Sequence, residues 1–189
     1  MEFYIGMTFE KPAPPEAAAW CNKNNAHIEK VNGVRTIVEN AKPIPTKAEL
    51  TAFVSAEADK VAYGGITIIA NNQEYLFKTT TDNITRCNSV LAMFEVLPED
   101  TVIPWEVWQG DTPVMLPVNK AQFKQCFAFG ANMIISVETV KGTLNAEVQK
   151  LTDEQLTDPD YVMAFKENTV IQLAGVNTVF NLDSTATEQ

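Results

Sequence analysis

The chain has 189 residues, of which 46% are hydrophobic and 20% charged, and its formal net charge is −10. This size and composition suit a globular protein with one sizeable core or two small ones. Membrane-spanning and nucleic-acid-binding classes are disfavoured, because no apolar run approaches the roughly 20 residues that cross a bilayer and no Lys/Arg cluster is present to neutralise phosphates.

The start of the chain predicts a small β-α-β-β unit. Residues 1–9 alternate between apolar and polar or small side chains, as a strand does. Glu16–Asn25 suits a short helix, because it follows a proline and ends in an asparagine-rich stretch. Asn32-Gly33 lies between two β-prone runs and is the clearest hairpin signature in the chain. We therefore expect residues 1–41 to form a separate unit.

A proline-containing segment follows and is predicted to be a linker with a helix. Pro43 and Pro45 hold the chain extended. Thr46 can cap a helix from Lys47 to about Ala62, after which two glycines end it. Residues 42–63 are therefore expected to join the N-terminal unit to the next domain, either packed against that domain or as an exposed spacer.

Residues 64–158 predict a domain of two successive units, each a hairpin followed by a helix. The first hairpin turns at Asn71-Asn72, and its helix runs from about Asp82 to Leu97. The second hairpin turns at Gly110-Asp111, and its helix runs from about Asn119 to Lys150. Each helix carries one apolar stripe, so both are expected on one face of the strands. The predicted fold class is α+β, with two ββα units forming one layered domain.

The continuity of the second helix is left open by its sequence. Asn119 precedes Gln122 by three residues, which approximates a capping box and favours a helix start. Gly130 and Gly142 lie inside the helix, and each costs about 1 kcal/mol relative to alanine there. A break near either glycine is therefore an alternative, as is a strand where Ile134, Ile135, Val137 and Val140 lie close together.

Residues 159–189 are expected to form an acidic C-terminal extension. Tyr161–Lys166 suits a short helix, whereas Val170–Leu173 and Asn177–Leu182 suit two strands. Asp183–Gln189 has no large apolar side chain and is predicted to be disordered unless a partner holds it. We interpret the negative charge of this end as a solvated surface rather than as a docking tail.

No group of residues has the spacing of a catalytic or metal site. His27 is the only histidine, and Glu29 projects from the same strand face, which is more typical of a solvated pair than of a catalytic dyad. The cysteines have no CxxC spacing and predict buried free thiols in a reducing compartment; they are Cys21, Cys87 and Cys126. We therefore expect no enzymatic activity, no cofactor and no metal ion.

Trp105 and Trp108 are the strongest candidates for contact with a partner. At a spacing of three residues in a strand they point to opposite faces, so one is expected in the core and one outside. An outward tryptophan is a typical interface anchor, and a second layer that covers it is an equal alternative. Tyr161 and Phe165 are the candidate members of a second partner-binding surface.

The order of several residues along the central stretch carries a family resemblance. The matching residues are Phe77, Thr81-Asp82, Arg86, Trp105, Gly110, Leu116 and Asn119. Residues 64–158 in this order resemble a domain of unknown function found in tail-gene products of tailed bacteriophages. Residues 14–22, with the hairpin that ends before Pro43, are similar to the leader of many such proteins and to the short N-terminal units of tail-fibre assembly proteins. The segment after Pro159 departs from the usual family pattern.

The resemblance implies a non-enzymatic bacteriophage tail or tail-fibre accessory protein. As a virion component it would bind tail-fibre or baseplate proteins. The alternative is a tail-fibre assembly chaperone that is not retained in the virion. Association of the chain with itself is left open, and neither nucleic acid nor a membrane is expected as a partner. Synthesis is expected in the cytoplasm of the bacterial host, with the virion tail as the destination of a structural component.

Overall fold

The computed structural model describes residues 2–10, 12–40 and 43–182. The chain divides into two compact units, and the division falls between Ile44 and Pro45. This boundary lies within the proline-containing segment, where the fixed φ of proline keeps the backbone extended. Both units contain helices and strands, so the predicted α+β class is confirmed.

The N-terminal unit is a three-stranded antiparallel sheet with one helix. Its elements are β1 (Thr8–Phe9), α1 (Pro15–Lys23), β2 (Ala26–Val31) and β3 (Val34–Glu39). The strand order is β1-β3-β2, which makes β2 an edge strand. A small core holds the unit together, with Ala17, Cys21, Ala26 and Ile37 buried.

The turns of this unit explain what the sequence predicted well and what it did not. Asn32 and Gly33 have φ of 51° and 89°, as the two-residue turn between β2 and β3 requires. Residues 1–9 were predicted as one strand, and that prediction is wrong for most of its length. Gly6 has a φ of 89° and its N–H donates to the Ile37 carbonyl, so the chain turns before the strand begins at Thr8.

The second unit combines a five-stranded sheet with five helices in its described part. Its elements are α2 (Lys47–Gly64), β4 (Ile66–Ala70), β5 (Gln73–Phe77), α3 (Thr81–Phe94), β6 (Val102–Gln109), β7 (Thr112–Asn119), α4 (Lys120–Lys150), α5 (Asp153–Thr157), α6 (Pro159–Ala174) and β8 (Val179–Asn181). The strand order is β7-β6-β5-β4-β8. Neighbouring strands are antiparallel except β4 and β8, which are parallel.

One face of this sheet carries the core. Alternate strand residues point toward it, and the buried ones are Ile66, Ile68, Ala70, Phe77, Trp105, Val107, Leu116 and Val118. Buried side chains of α2, α3, α4, α5 and α6 belong to the same cluster. The longer helices also pack against one another, with α4 touching α2, α3 and α6. The helices therefore form one layer on the inner sheet face, as predicted for the two central helices.

Helix α2, which lies in the segment predicted over residues 42–63, belongs to this core. Its buried residues recur every four positions and form a single stripe; they are Leu50, Val54, Ala58 and Ala62. Thr46 and Glu49 form a capping box at its start, as the sequence indicates. The Lys47 ammonium donates a hydrogen bond of 2.8 Å to the Gln149 carbonyl at the end of α4. Of the two alternatives for this helix, packing against the domain is correct.

The C-terminal segment is likewise part of the second unit and not a separate extension. Helix α6 is longer than the predicted Tyr161–Lys166, and the strand predicted over Val170–Leu173 is wrong. Its buried residues follow a helical period, with Val162, Phe165, Thr169 and Leu173 inward. Tertiary packing thus overrides the β propensity of Val170 and Ile171. The strand predicted over Asn177–Leu182 is confirmed as β8, and residues 183–189 lie outside the described part of the chain.

Helix α4 runs without a break for 31 residues, so the alternatives of a break or a strand are wrong. Asn119 and Gln122 form the capping box at its start. Gly130 is buried, and a Cβ there would lie 3.7 Å from Thr79 Cγ2, whereas a Cβ at Gly142 would meet no atom within 4 Å. A side chain at Gly130 would therefore contact Thr79 and Ile66, while Gly142 has no packing role.

Gly142→Ala should stabilise the protein by about 0.5–1 kcal/mol, because alanine removes backbone freedom from the unfolded chain and fits the helix. Gly65→Ala provides the opposite control. Gly65 has a φ of 105°, and a Cβ there would lie 2.7 Å from the Phe77 carbonyl oxygen, so we expect destabilisation. Free energies of unfolding from guanidinium titrations would measure both effects. A loss of stability in Gly142→Ala would contradict the description of α4.

Candidate partner-binding surface

Trp105 lies inside the core and does not form part of an accessible surface. Its side chain is 6% exposed. The ring stacks on Phe77 of β5 at a centroid distance of 5.8 Å and meets the Phe123 ring of α4 edge-on at 4.7 Å. Phe123 in turn contacts Phe94 of α3 at 5.7 Å. Trp105 is therefore the inward member of the tryptophan pair and is excluded as a direct partner contact.

The indole N–H of Trp105 is an unusual feature of this core. Nε1 is buried, and it has no hydrogen-bond partner among the described residues. A buried donor without an acceptor costs about 1–3 kcal/mol. The Arg86 guanidinium carbon lies 5.8 Å from the ring centroid and adds a cation–π contact at the rim of the cluster. The unpaired N–H is tolerated here because the indole ring, which lies on β6, packs against β5 and α4 and so joins three elements.

Trp108 points to the opposite face of the sheet. It is half-buried, and its backbone pairs with Leu76 on β5 and Pro113 on β7. The Lys78 ammonium lies 3.1 Å from the centroid of its ring. Such a cation–π contact contributes about 0.5–1 kcal/mol at an exposed site. Within the described part of the second unit, Trp108 is thus covered by one lysine and not by a second layer of secondary structure.

Trp108 belongs to a larger apolar surface that we call the outer sheet face. It consists of strand residues that alternate with the core residues: Ile69, Leu76, Val102, Pro104, Trp108, Pro113, Met115, Pro117 and Val179. Three of these large apolar side chains are exposed to solvent, namely Val102, Met115 and Val179. The exposed fraction of Met115 is 64%. Glu106 adds charge to the same face. Its carboxylate lies 4.0 Å from the Arg86 guanidinium. The sequence reasoning identified only Trp108 of this set.

The edge of this sheet at β7 is poorly suited to pairing with another strand. Pro113 and Pro117 both lie in β7, and neither has an N–H to donate. Pro113 faces Trp108 and Pro117 faces Pro104 in the ladder with β6. Prolines on edge strands are a known protection against edge-to-edge association. A partner is therefore not expected to extend the sheet beyond β7.

Tyr161 and Phe165 lie one turn apart on α6 and line a groove beside the end of α4. The groove encloses about 220 Å³ and is completed by Glu147, Lys150, Leu151 and Gln155. Tyr161 is 37% exposed, whereas Phe165 is buried in the core. The structure thus brings these two residues together, but only Tyr161 is accessible at this site. Neither lies on the outer sheet face.

The polar groups that attracted attention in the sequence are surface pairs or buried thiols. The His27 imidazole Nε2 lies 3.3 Å from Glu29 Oε2, and both side chains are about half exposed. All three cysteines are free and buried. Within the described residues no cluster of His, Cys, Asp or Glu is arranged to hold a metal ion. No helix of the described chain is long and apolar enough to cross a bilayer.

Comparison of the chain with models of known protein families, with curated proteins and with solved structures finds no match.

The two tryptophans should differ sharply in their effect on stability. Trp105→Ala should lower the free energy of unfolding by about 3–5 kcal/mol, because it opens a cavity between β5, β6 and α4. Trp108→Ala should cost about 1 kcal/mol or less, since it loses one cation–π contact and partial burial. Chemical denaturation followed by tryptophan fluorescence and circular dichroism would compare them. Equal losses would contradict the assignment of opposite faces.

The buried thiols should be unreactive in the folded protein. Burial raises the pKa of the Cys87 thiol to about 12, and burial with the neighbouring Cys87 raises that of Cys126 to about 12. Because the thiolate is the nucleophile, both should react with an aromatic disulfide reagent far more slowly at about pH 8 than after denaturation.

The same raised pKa values predict a loss of stability at high pH. The unfolded thiols ionise at about pH 8.5 while the folded ones stay protonated, so this contribution to stability is complete below that pH and declines toward pH 12. Guanidinium titrations at increasing pH would test the loss of stability, and site-resolved mass spectrometry of labelled cysteines would test the low reactivity. Rapid labelling of Cys87 in the native protein would contradict them.

Proposed function

We propose that this protein is a bacteriophage tail or tail-fibre accessory protein that acts by binding other tail proteins and catalyses no reaction. The tail context is supported by the resemblance of residues 64–158 to tail-gene products. The binding role is supported by the outer sheet face. In this proposal the protein is a virion component that connects fibre or baseplate parts.

The single observation that carries the binding role is the exposed apolar side of the five-stranded sheet. Large exposed apolar patches rimmed by polar groups are typical of protein interfaces. Met115 and Val102 protrude on the same sheet face as the half-buried Trp108, and tryptophan is enriched among the residues that contribute most to binding. The strands that hold these side chains are packed on a core, so the surface is preorganised and little entropy is lost on binding.

The geometry of this face indicates what a partner should present. A sheet with helices on one side can bury its other side against a second sheet, at a spacing of about 10 Å. Lys78 lies over Trp108, so a partner must either displace the ammonium or place an acceptor beside it. We therefore expect a partner with a flat apolar surface and a carboxylate at its border.

Binding to a candidate fibre protein provides the direct test. The product of the gene immediately upstream would be purified, and its affinity for the chain measured by titration calorimetry. Met115→Glu should weaken binding by about 30-fold or more, because the new carboxylate would be buried in the interface.

A matched control is available on the helical side of the same unit. Ile135 of α4 is 62% exposed, close to the exposure of Met115. Ile135→Glu should therefore leave the affinity unchanged while altering the net charge equally. If both substitutions weaken binding equally, or if no tail protein binds, the proposed surface is contradicted.

The same system separates the two roles that the resemblance implies. Presence of the chain in purified, tail-complete particles would support a virion component. Soluble fibre that forms only on co-expression with the chain, with no chain in the particles, would support an assembly chaperone instead.

A further inference from the structure

Strand β2 of the N-terminal unit is an edge strand without the protection found elsewhere in the molecule. It has six residues and no proline, and among the described residues no strand pairs with its outer side. The other edges are blocked or short, since β7 carries two prolines, β1 has two residues and β8 has three. An open edge of this length is a template for pairing with another strand.

The hairpin fixes which backbone groups of β2 point outward. The residues that flank a two-residue turn exchange backbone hydrogen bonds. In an antiparallel pair every second residue does the same, so the backbone groups of Glu29 and His27 also bond to β3. The bond from the Asn40 N–H to the Asn25 carbonyl, 2.9 Å long, continues the same alternation. The N–H and C=O groups of Ala26, Ile28 and Lys30 therefore point away from the sheet.

These outward groups match a second copy of the same strand. Two β2 strands can pair in antiparallel orientation with Ile28 opposite Ile28. Ala26 of each copy then lies opposite Lys30 of the other copy. Each of these pairs brings two outward N–H groups to two outward carbonyls. A two-fold axis through the Ile28 pair makes the contact isologous and closed, as in most protein dimers.

The side chains select this register. It places His27 of one copy opposite Glu29 of the other, twice by symmetry, on the exposed face of the strand. If one strand slides by two residues along the other, His27 lies opposite His27. If it slides by two residues the other way, Glu29 lies opposite Glu29. Two carboxylates directly opposite each other are destabilising, and the register with His27 opposite His27 loses both contacts between a carboxylate and an imidazole.

Helix α1 leaves room for a second strand beside β2. A groove of about 170 Å³ runs between the helix and the strand, lined by Ala18, Cys21 and Asn22 on one side and by Ala26, His27 and Ile28 on the other. Ala18 and Asn22 lie one turn apart and are short, so they allow a second backbone to approach. We propose that the N-terminal unit forms a homodimer in which two β2 strands pair edge to edge and join the two three-stranded sheets. This inference is independent of the proposed tail function.

Sedimentation velocity of the full chain, from about 1 to 500 µM, would detect the weak dimer that an interface of one strand pair supports. The expected result is a monomer–dimer equilibrium. A chain that stays monomeric over this whole range overturns the proposal.

A charge swap tests the register. His27→Glu places two carboxylates opposite each other at both symmetric positions, and the dissociation constant should rise about fivefold or more. The double variant His27→Glu with Glu29→His restores the opposite pairing and should return the dissociation constant to the original value. Thermal unfolding of each variant would measure the effect on the monomer, in which His27 also pairs with Glu29 of the same copy. A dimer whose dissociation constant does not respond to His27→Glu overturns the proposal.

A proline tests the edge itself. Lys30→Pro removes an outward N–H and keeps the hydrogen bonds between β2 and β3, so it should weaken the dimer more than about tenfold. Lys30→Thr loses the same charge but keeps the N–H, and it should leave the dimer intact. Equal effects of the two substitutions would overturn the proposal. If Lys30→Pro fails to fold, the charge swap alone decides.

Discussion

The middle of the second unit is held by aromatic side chains more than by backbone hydrogen bonds. Among the described residues, the two hairpins are joined by one backbone bridge, between Leu76 and Trp108. Pro104 contributes to this short pairing, because it has no N–H to offer on the β5 side of β6. Phe77 and Trp105 stack across the same strand boundary, and Phe123 closes the contact from α4. The inner face of the sheet, and with it the placement of the outer face, depends on this cluster.

Local signals in the sequence identified most of the regular elements, because each has a local physical cause. The Asn32-Gly33 and Asn71-Asn72 turns need positive φ, which these residues tolerate, and the structure has it at all four positions. Capping residues likewise located the starts of α2 and α4. The errors came from long-range packing. The role of α2 and the helical state of Val170–Leu173 depend on contacts with α4, which no local pattern reveals.

In the candidate site, too, local sequence predicted some features, whereas others depended on long-range packing. The spacing of Trp105 and Trp108 predicted opposite faces, but it could not decide which one enters the core. That choice follows from the neighbours Phe77 and Phe123, which come from different elements. Met115 and Val102 were missed because both strands carry apolar residues on both faces and the orientation of the strands was unknown. A usable signal was present in β7, where Pro113 and Pro117 alternate with the core residues Leu116 and Val118.

The parallel pairing of β8 with β4 has a consequence for the order in which the molecule forms. Thr67 lies beside Val179, although more than a hundred residues separate them along the chain. Closing so long a loop costs more entropy than forming a hairpin, so this pairing should follow the formation of the four antiparallel strands. Until then β4 is itself an edge, and Ile69 with its neighbours is open to incorrect pairing. Phe180 packs on Phe129 of α4, which gives the late-arriving strand a side-chain contact as well as a backbone ladder. The last strand therefore completes the sheet and also closes its most aggregation-prone side.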